Sequence, residues 1–310
     1  MRRGRGPLMD WLEDFIARHR LPSDYAEAVG KVVVPLAKRL HDSHRLSGQP
    51  LIVGISGAQG SGKTTLALLL GEWLELELGL ATACLSLDGV YLRKVQRLEM
   101  AREVHSLLET RGVPGTHDVA RAEDLLDLLV DADHERTVAL PVFDKALDDR
   151  APAGQWPVVN APVDVVLFEG WCMGARPQPP ESLAEPVNAL EAERDRSGRW
   201  RRYVNERLRA DYASLFARLD LLVMLRVPNF EKVLEWRRLQ EKKLRQCLRG
   251  GSRTGARPPG MSDGEIAYFV QHYERLTRHM LKTMPEYADA VIDVDENHRM
   301  TGISWWERSP

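Results

Sequence analysis

The sequence predicts a three-layer α/β/α fold around a mainly parallel sheet, with an N-terminal helical extension and a helical lid. Two observations carry this expectation. The apolar run Leu51–Ile55, the stretch Gly57-Ala58-Gln59-Gly60-Ser61-Gly62-Lys63-Thr64 and the helix-forming run Thr65–Leu78 follow one another as strand, loop and helix. Their middle part has the G-x4-GK[ST] spacing of a P-loop. Beyond Leu51–Ser56, five short runs rich in Val, Ile and Leu recur at Thr82–Leu87, Thr137–Phe143, Val163–Phe168, Leu221–Val227 and Ala290–Val294. Helical patterns separate most of them, which calls for crossover connections between parallel strands.

Taken in order, Asp10–His19 and Tyr25–Arg45 read as helices, with Trp11, Leu12, Phe15 and Ile16 forming one apolar face. Residues 1–48 are expected as an extension packed on the core and residues 49–300 as one P-loop domain, with lid and substrate elements at about 228–262. Residues 301–310 remain as a tail. The Pro/Gly/Arg-rich stretches Ala175–Pro186 and Gly250–Gly260 read as exposed loops. Ser262-Asp263-Gly264-Glu265 has the form of a capping box and predicts a helix from about Asp263, with Ile266, Phe269, Val270 and Tyr273 on its packed face.

Composition narrows the partners. A chain of 310 residues with 44% hydrophobic residues and a net charge of −2 lacks the broad basicity of a nucleic-acid scaffold. Three scattered cysteines, Cys84, Cys172 and Cys247, fit neither a disulfide framework nor a zinc site, and point to a reducing cytoplasm. The basic start turns acidic and amphipathic, unlike a signal peptide, and no apolar run is long enough to span a membrane. The expected partner is a small molecule, with no nucleic acid and no membrane; the oligomeric state stays open.

Chemistry concentrates at the carboxyl ends of the expected strands, where ligands of open α/β sheets collect. In the P-loop, backbone N–H groups of Gly57, Ala58, Gln59, Gly60, Ser61, Gly62, Lys63, Thr64 and Thr65 surround phosphate oxygens, Lys63 adds a point charge, and the Thr64 hydroxyl can hold Mg²⁺. The second run ends in Leu87-Asp88-Gly89-Val90-Tyr91, which puts Asp88 at a strand end as the carboxylate that takes a proton from an attacking substrate hydroxyl. A turn cap is the structural alternative for an Asp-Gly pair. Val165-Val166-Leu167-Phe168-Glu169 has the form of a Walker B strand, with Glu169 ordering the metal or its waters.

Arg111-Gly112-Val113-Pro114-Gly115-Thr116-His117-Asp118 precedes an amphipathic run, so Thr116 or Asp118 can cap a helix there. Arg111 can grip a carboxylate with two prongs and His117 can hydrogen-bond a hydroxyl, which together suit a small acidic substrate. Tyr91, Arg111, His117, Asp118, Lys145 and Arg150 form the expected substrate set; for Lys145 and Arg150, solvated surface charge competes. From Lys232 to Arg257 there are nine basic residues and two acidic ones. A cationic lid with Arg237 and Arg245 would offset the charge of a transferring phosphoryl group, whereas a merely solvated helix face is the plain reading.

The segments GAQGSGKTT, SLDGVYL, RGVPGTHD, PVFDKALDDRAP with Trp156, DVVLFEGWCMG, Val187-Asn188-Ala189-Leu190, WRRLQEKKLR and GMSDGEIAYFV, in this order from about Leu51 to Tyr273, resemble the D-glycerate 3-kinase family. That family is a branch of the P-loop kinases related to phosphoribulokinase, uridine kinase and pantothenate kinase. The resemblance implies transfer of the ATP γ-phosphate to the 3-hydroxyl of D-glycerate with Mg²⁺, with Asp88 activating the hydroxyl and Thr64 and Glu169 supporting the metal. The family pattern has Asp-Asp-Phe-Tyr after the second strand, where this chain has Asp88-Gly89-Val90-Tyr91. The stretch Lys145–Asp149 is shorter than the family's glycine-rich form, and Glu181–Arg196 reads as an insertion. Pantothenate, a nucleoside or another sugar acid stays open as acceptor. A GTPase-like switch lacks an N/T-K-x-D guanine-reading sequence here, and a nucleotide-binding regulator without kinase activity is the remaining class.

Overall fold

A computed structural model describes residues 7–249 and 261–306. The chain opens with helices α1 (Pro7–Arg18), α2 (Tyr25–Ala28) and α3 (Val34–Ser47), the last two joined by a π turn over Val29–Val33. Strand β1 (Leu51–Gly57), helix α4 (Lys63–Leu78) and strand β2 (Thr82–Ser86) follow, then α5 (Lys94–Glu103) and α6 (Val119–Val130). Four short strands come next: β3 (Arg136–Ala139), β4 (Phe143–Asp144), β5 (Asp149–Arg150) and β6 (Val158–Ala161). The second half runs β7 (Val165–Gly170), α7 (Ala189–Arg194), α8 (Arg199–Arg209), α9 (Asp211–Ala217), β8 (Leu221–Arg226), α10 (Phe230–Arg249), α11 (Asp263–Thr283), β9 (Ala290–Val294) and β10 (Met300–Trp305).

Six strands form one sheet in the order β10-β9-β8-β1-β7-β2. All neighbours are parallel except the β9–β10 edge pair, which places β1 centrally, with β7 on one side and β8 on the other. The alternation of buried side chains explains why these strands read as unbroken apolar runs. Leu51, Val53 and Ile55 of β1, Val165 and Leu167 of β7, and Val223 and Leu225 of β8 enter one hydrophobic layer with α1, α3 and α4. Ile52 of β1, Val166 and Phe168 of β7, and Leu222 and Met224 of β8 enter the other, with α6, α9 and the second half of α11. Both faces of the sheet are therefore covered, and the molecule has three layers. Each fully buried Val, Leu or Phe contributes about 1.5–3 kcal/mol before ordering costs are subtracted.

Two expectations are corrected. The run Thr137–Phe143 is not a strand of the main sheet. Pro141 interrupts it, the Leu140 N–H is given to the Pro157 carbonyl, and β3 pairs antiparallel with β6 while β4 pairs with β5 in a separate hairpin. The expected tail from residue 301 begins inside β10, whose residues are half exposed at the sheet edge and so carry little apolar pattern.

Helix α11 starts with the expected box: Ser262 Oγ accepts from the Glu265 N–H and the Glu265 carboxylate accepts from the Ser262 N–H, with Ile266, Val270 and Tyr273 buried. The Glu181–Arg196 insertion is held by two buried ion pairs. Arg275 grips Glu191 through both carboxylate oxygens at 2.8 and 2.7 Å, and Arg201 meets Asp195 at 3.0 Å. Carbonyls of Ser182 and Glu185 also accept from Arg275, and those of Leu183 and Ala184 from Arg201, which makes charges this deep tolerable. Cys84 and Cys172 are free thiols.

Candidate active site

Strand register sets the site. Ile55 of β1 and Ser86 of β2 both pair with Glu169 of β7, so the three strands end level, and the chain beyond them turns into the P-loop and into the short turn Leu87–Val90. The P-loop ends in a left-handed glycine, Gly62 with φ 94°, immediately before the first residue of α4. An L side chain there would be strained, whereas glycine delivers the helix N-terminus with its unpaired N–H groups to the same place. Ala58 and Ser61 are buried, Gln59 and Thr65 half-buried and Thr64 exposed. Helix α10 lies over this loop, since a Cβ on Gly60 would come 3.2 Å from Trp236 Cβ. Arg237 follows on the same helix, half-buried, and its charge acts on Tyr273. The Arg245 side chain and the loop 250–260 lie outside the described residues.

Glu169 is buried at the floor. Its Oε1 accepts from Ser86 Oγ at 2.7 Å and from Thr64 Oγ1 at 3.1 Å. Its Oε2 is buried without a hydrogen-bond partner, and the Lys63 ammonium stands 3.9 Å away, a charge contact and not a hydrogen bond. A carboxylate oxygen left in this state beside a P-loop hydroxyl fits an oxygen-seeking cation such as Mg²⁺. No group of three or more His, Cys, Asp or Glu among the described residues can hold a metal by itself.

Asp88 stands in the turn after β2. Its Oδ2 accepts from Lys145 Nζ and its Oδ1 from Tyr91 OH, both at 2.8 Å. Burial pushes its pKa up, but the charges of Lys145 and Lys63 and the two hydrogen bonds outweigh that and hold it well below the usual carboxylate range. Asp88 is thus ionised, and the Lys63 charge ties it electrostatically to the P-loop. Gly89 beside it is buried because the backbone of the next segment arrives there: a Cβ on Gly89 would stand 2.3 Å from the Pro141 carbonyl oxygen. The expected substrate residue Tyr91 is buried, stacked on His117 with centroids 4.5 Å apart and edge-on to Phe143. Burial lowers the His117 pKa to about 3 and the nearby Asp88 charge does not restore it.

The remaining expected substrate residues are already paired. Arg111 bonds Asp148 and lies over the Phe143 ring at 5.3 Å. Arg150 donates to Asp118 at 2.7 Å and to the Tyr91 carbonyl at 2.9 Å, while Asp118 also caps α6 through the Arg121 N–H. The structure thus brings Lys63, Thr64, Asp88, Tyr91, Lys145 and Glu169 together, with His117 against Tyr91, and gives Asp118 and Arg150 a bracing role around Tyr91. Three residues escaped the sequence reading. Ser86 had the signal of a hydroxyl at a strand end. Asp148 and the fully buried Arg97, which meet at 3.0 Å and fix the β4–β5 loop, had none.

No family model matches the chain. The chain is similar to the uncharacterized kinase mug58 of Schizosaccharomyces pombe, with 33% identity over 270 residues that cover 83% of this chain and 87% of that protein. It is similar to the chloroplastic D-glycerate 3-kinase of Arabidopsis thaliana, with 30% identity over 275 residues, and spans 56% of that longer protein. Among solved structures, D-glycerate 3-kinase from Cryptococcus neoformans superposes with a TM-score of 0.72 at 25% identity, covering 92% of this chain and all of that one.

Proposed function

Because this chain belongs to the D-glycerate 3-kinase-like family of P-loop kinases, we propose that its acceptor is D-glycerate and its product 3-phosphoglycerate. It is an ATP-dependent kinase, a phosphotransferase with an alcohol group as acceptor. The observation that carries this reading is the Asp88 carboxylate in the turn after β2, held at 2.8 Å by both Lys145 Nζ and Tyr91 OH and near enough to the P-loop to feel the Lys63 charge.

The P-loop amides and Lys63 hold the phosphates. The hydroxyl oxygen of the acceptor forms its bond to the γ-phosphorus as the bond to the β,γ-bridging oxygen breaks, and the hydroxyl proton passes to the Asp88 carboxylate. Because the transition state of phosphoryl transfer is loose, little base strength is needed. A low-pKa carboxylate that accepts a hydrogen bond from the hydroxyl and aims it in line is sufficient. Mg²⁺, held by Thr64 and Glu169 with the phosphates, would neutralise charge on the transferring group. Ser86 keeps the Glu169 carboxylate oriented. Arg237 on α10 would add positive charge over the P-loop.

An acidic acceptor is supported by the cations around the Asp88 turn. Lys145 is 62% exposed, so its ammonium is accessible to a substrate carboxylate, and His117 offers a neutral contact beside Tyr91. Arg111 would have to share or exchange Asp148 to join them. Residues 1–48 are read as a helical extension of a kinase domain over residues 49–300, working in the cytoplasm, where free thiols persist.

ADP formation with D-glycerate, other hydroxyl acids, pantothenate and nucleosides as acceptors tests this, with NMR locating the phosphate on the product. D-Glycerate is expected to give the highest turnover, with phosphate on the 3-hydroxyl. Preference for pantothenate or a nucleoside would reassign the acceptor, and ATP hydrolysis indifferent to any acceptor would end the kinase reading of the site.

A further inference from the structure

His117 is gripped between two tyrosines. Tyr91 stacks on its ring, and Tyr212 of α9 meets it edge-on, with centroids 5.8 Å apart and planes at 75°. Tyr212 is fully buried and packs on Phe216 as well, so its position is fixed by the helix it sits on. Its hydroxyl has two close hydrogen-bond partners, and the His117 backbone N–H acts on it as well. The Gly115 N–H lies 3.0 Å from the phenol oxygen, and His117 Nδ1 lies 2.5 Å from it.

A backbone N–H can only donate, so at Gly115 the phenol oxygen is the acceptor. The contact with Nδ1 then decides where the protons are. If Nδ1 carried the imidazole proton, two donors would converge on the phenol oxygen. The phenol's own proton would be buried with no acceptor among the recorded contacts, an arrangement that folded proteins avoid. With the phenol proton given to Nδ1, every group in the chain Gly115 N–H, Tyr212 O–H, His117 Nδ1 is satisfied. The imidazole is neutral, so its single proton must then sit on Nε2.

We infer that Tyr212 is a positioning residue that locks His117 as the Nε2–H tautomer, so that His117 meets the acceptor as a hydrogen-bond donor and recognises an oxygen without a proton, such as a carboxylate. This rests on the reading of His117 as a substrate contact. Nε2 is buried and has no partner among the described residues, the state of a donor reserved for a ligand oxygen. The opposite tautomer would present a bare nitrogen and select a hydroxyl instead. Acid specificity at this position is therefore set by a residue of helix α9, 95 positions along the chain.

Long-range ¹H–¹⁵N NMR of the imidazoles in the ligand-free wild-type protein reads the tautomer directly and needs no substrate. A proton on His117 Nε2, with a pyridine-like Nδ1, is expected; a proton on Nδ1 overturns the inference. Tyr212→Phe keeps the ring packing and removes the hydroxyl, and it is expected to mix the two tautomers. With the best acid acceptor it should raise KM about tenfold while changing kcat and the KM for ATP less than twofold, a split that general loosening of the fold would not give. An unaltered tautomer in Tyr212→Phe, or an unchanged acceptor KM, also overturns it. If no acceptor is turned over at all, the kinase reading falls while the wild-type NMR result still decides the tautomer.

Discussion

Lys145 Nζ lies 2.8 Å from Asp88 Oδ2, so the loop between β4 and β5 delivers a cation to the proposed base. Burial alone would raise the Asp88 pKa, and the Lys145 and Lys63 charges reverse that. Removing one of the two cations moves the pKa upward. In Lys145→Met, the acid limb of kcat/KM for the acceptor is therefore expected at higher pH than in the wild type, where Asp88 stays ionised through the ordinary assay range. Asp88→Asn should lower kcat by about 10²–10⁴ without loss of ATP binding. Rate profiles between pH 4 and 8 check both, and an acid limb that does not move in Lys145→Met would show that Asp88 is not the group being protonated.

Glu169 receives Ser86 and Thr64 on one oxygen and leaves the other unbonded. Ser86→Ala removes a hydrogen bond that orients the carboxylate and leaves the P-loop untouched. The Mg²⁺ concentration for half-maximal rate is expected to rise about 10-fold in Ser86→Ala and more in Glu169→Gln, following the usual cost of losing a ligand's supporting partner. Titration of Mg²⁺ at saturating ATP is the measurement. Equal Mg²⁺ dependence in all three proteins would remove Glu169 from the metal site.

The parts of this site that could be read in the sequence are those written in consecutive residues. The P-loop declares itself by spacing, and Glu169 by the apolar strand that runs into it. Five of the six expected strand runs lie in the main sheet, because strands of a sheet covered on both faces are apolar at most positions. Pro141 marked the break in the remaining run, a signal that the apolar residues on either side of it masked, and the half-exposed β10 had no pattern to show. Pairings across long separations were illegible for a different reason. Ser86 meets Glu169 across 83 positions and His117 meets Tyr212 across 95, distances over which only the folded sheet and helices bring side chains together. Arg111 was legible as a cation, but Asp148 as its partner was not, since the pairing depends on a left-handed residue, φ 55°, in the β4–β5 loop.

Gly89 sits where there is no room for a side chain. Its Cα faces the Pro141 carbonyl so closely that a Cβ would overlap the oxygen at 2.3 Å, and that neighbour is backbone and cannot rotate away. Gly89→Ala must push the Pro141–Lys145 segment from the Asp88 turn. A stability loss of about 1–3 kcal/mol in urea denaturation is expected, as for other overpacked buried sites, together with a fall in kcat. A stable and fully active Gly89→Ala would mean that the segment yields freely and that its contact with Asp88 does not matter.

His117 and His272 are buried and neutral in the fold. Burial lowers His117 to about 3 with Asp88 opposing it, and lowers His272 to about 4 against the pull of the Phe269 and Tyr268 carbonyls, with Arg194 adding to the shift. Unfolded histidine titrates near 6.5, so between that value and the folded ones the unfolded chain binds protons that the native protein does not. Stability from both groups is fully present above pH 7 and drains away as pH falls below 6.5. At pH 5 the loss is about 2 kcal/mol for each histidine. His105 and His279, lowered mainly by burial, act in the same sense. Asp88 works in the other window, since its depressed pKa costs stability only in much stronger acid. Urea midpoints at pH 7.5 and pH 5 are therefore expected to differ strongly in the wild type. In His272→Gln, which cannot titrate, the gap should shrink by about 2 kcal/mol. The same gap in that variant would place the acid sensitivity elsewhere in the molecule.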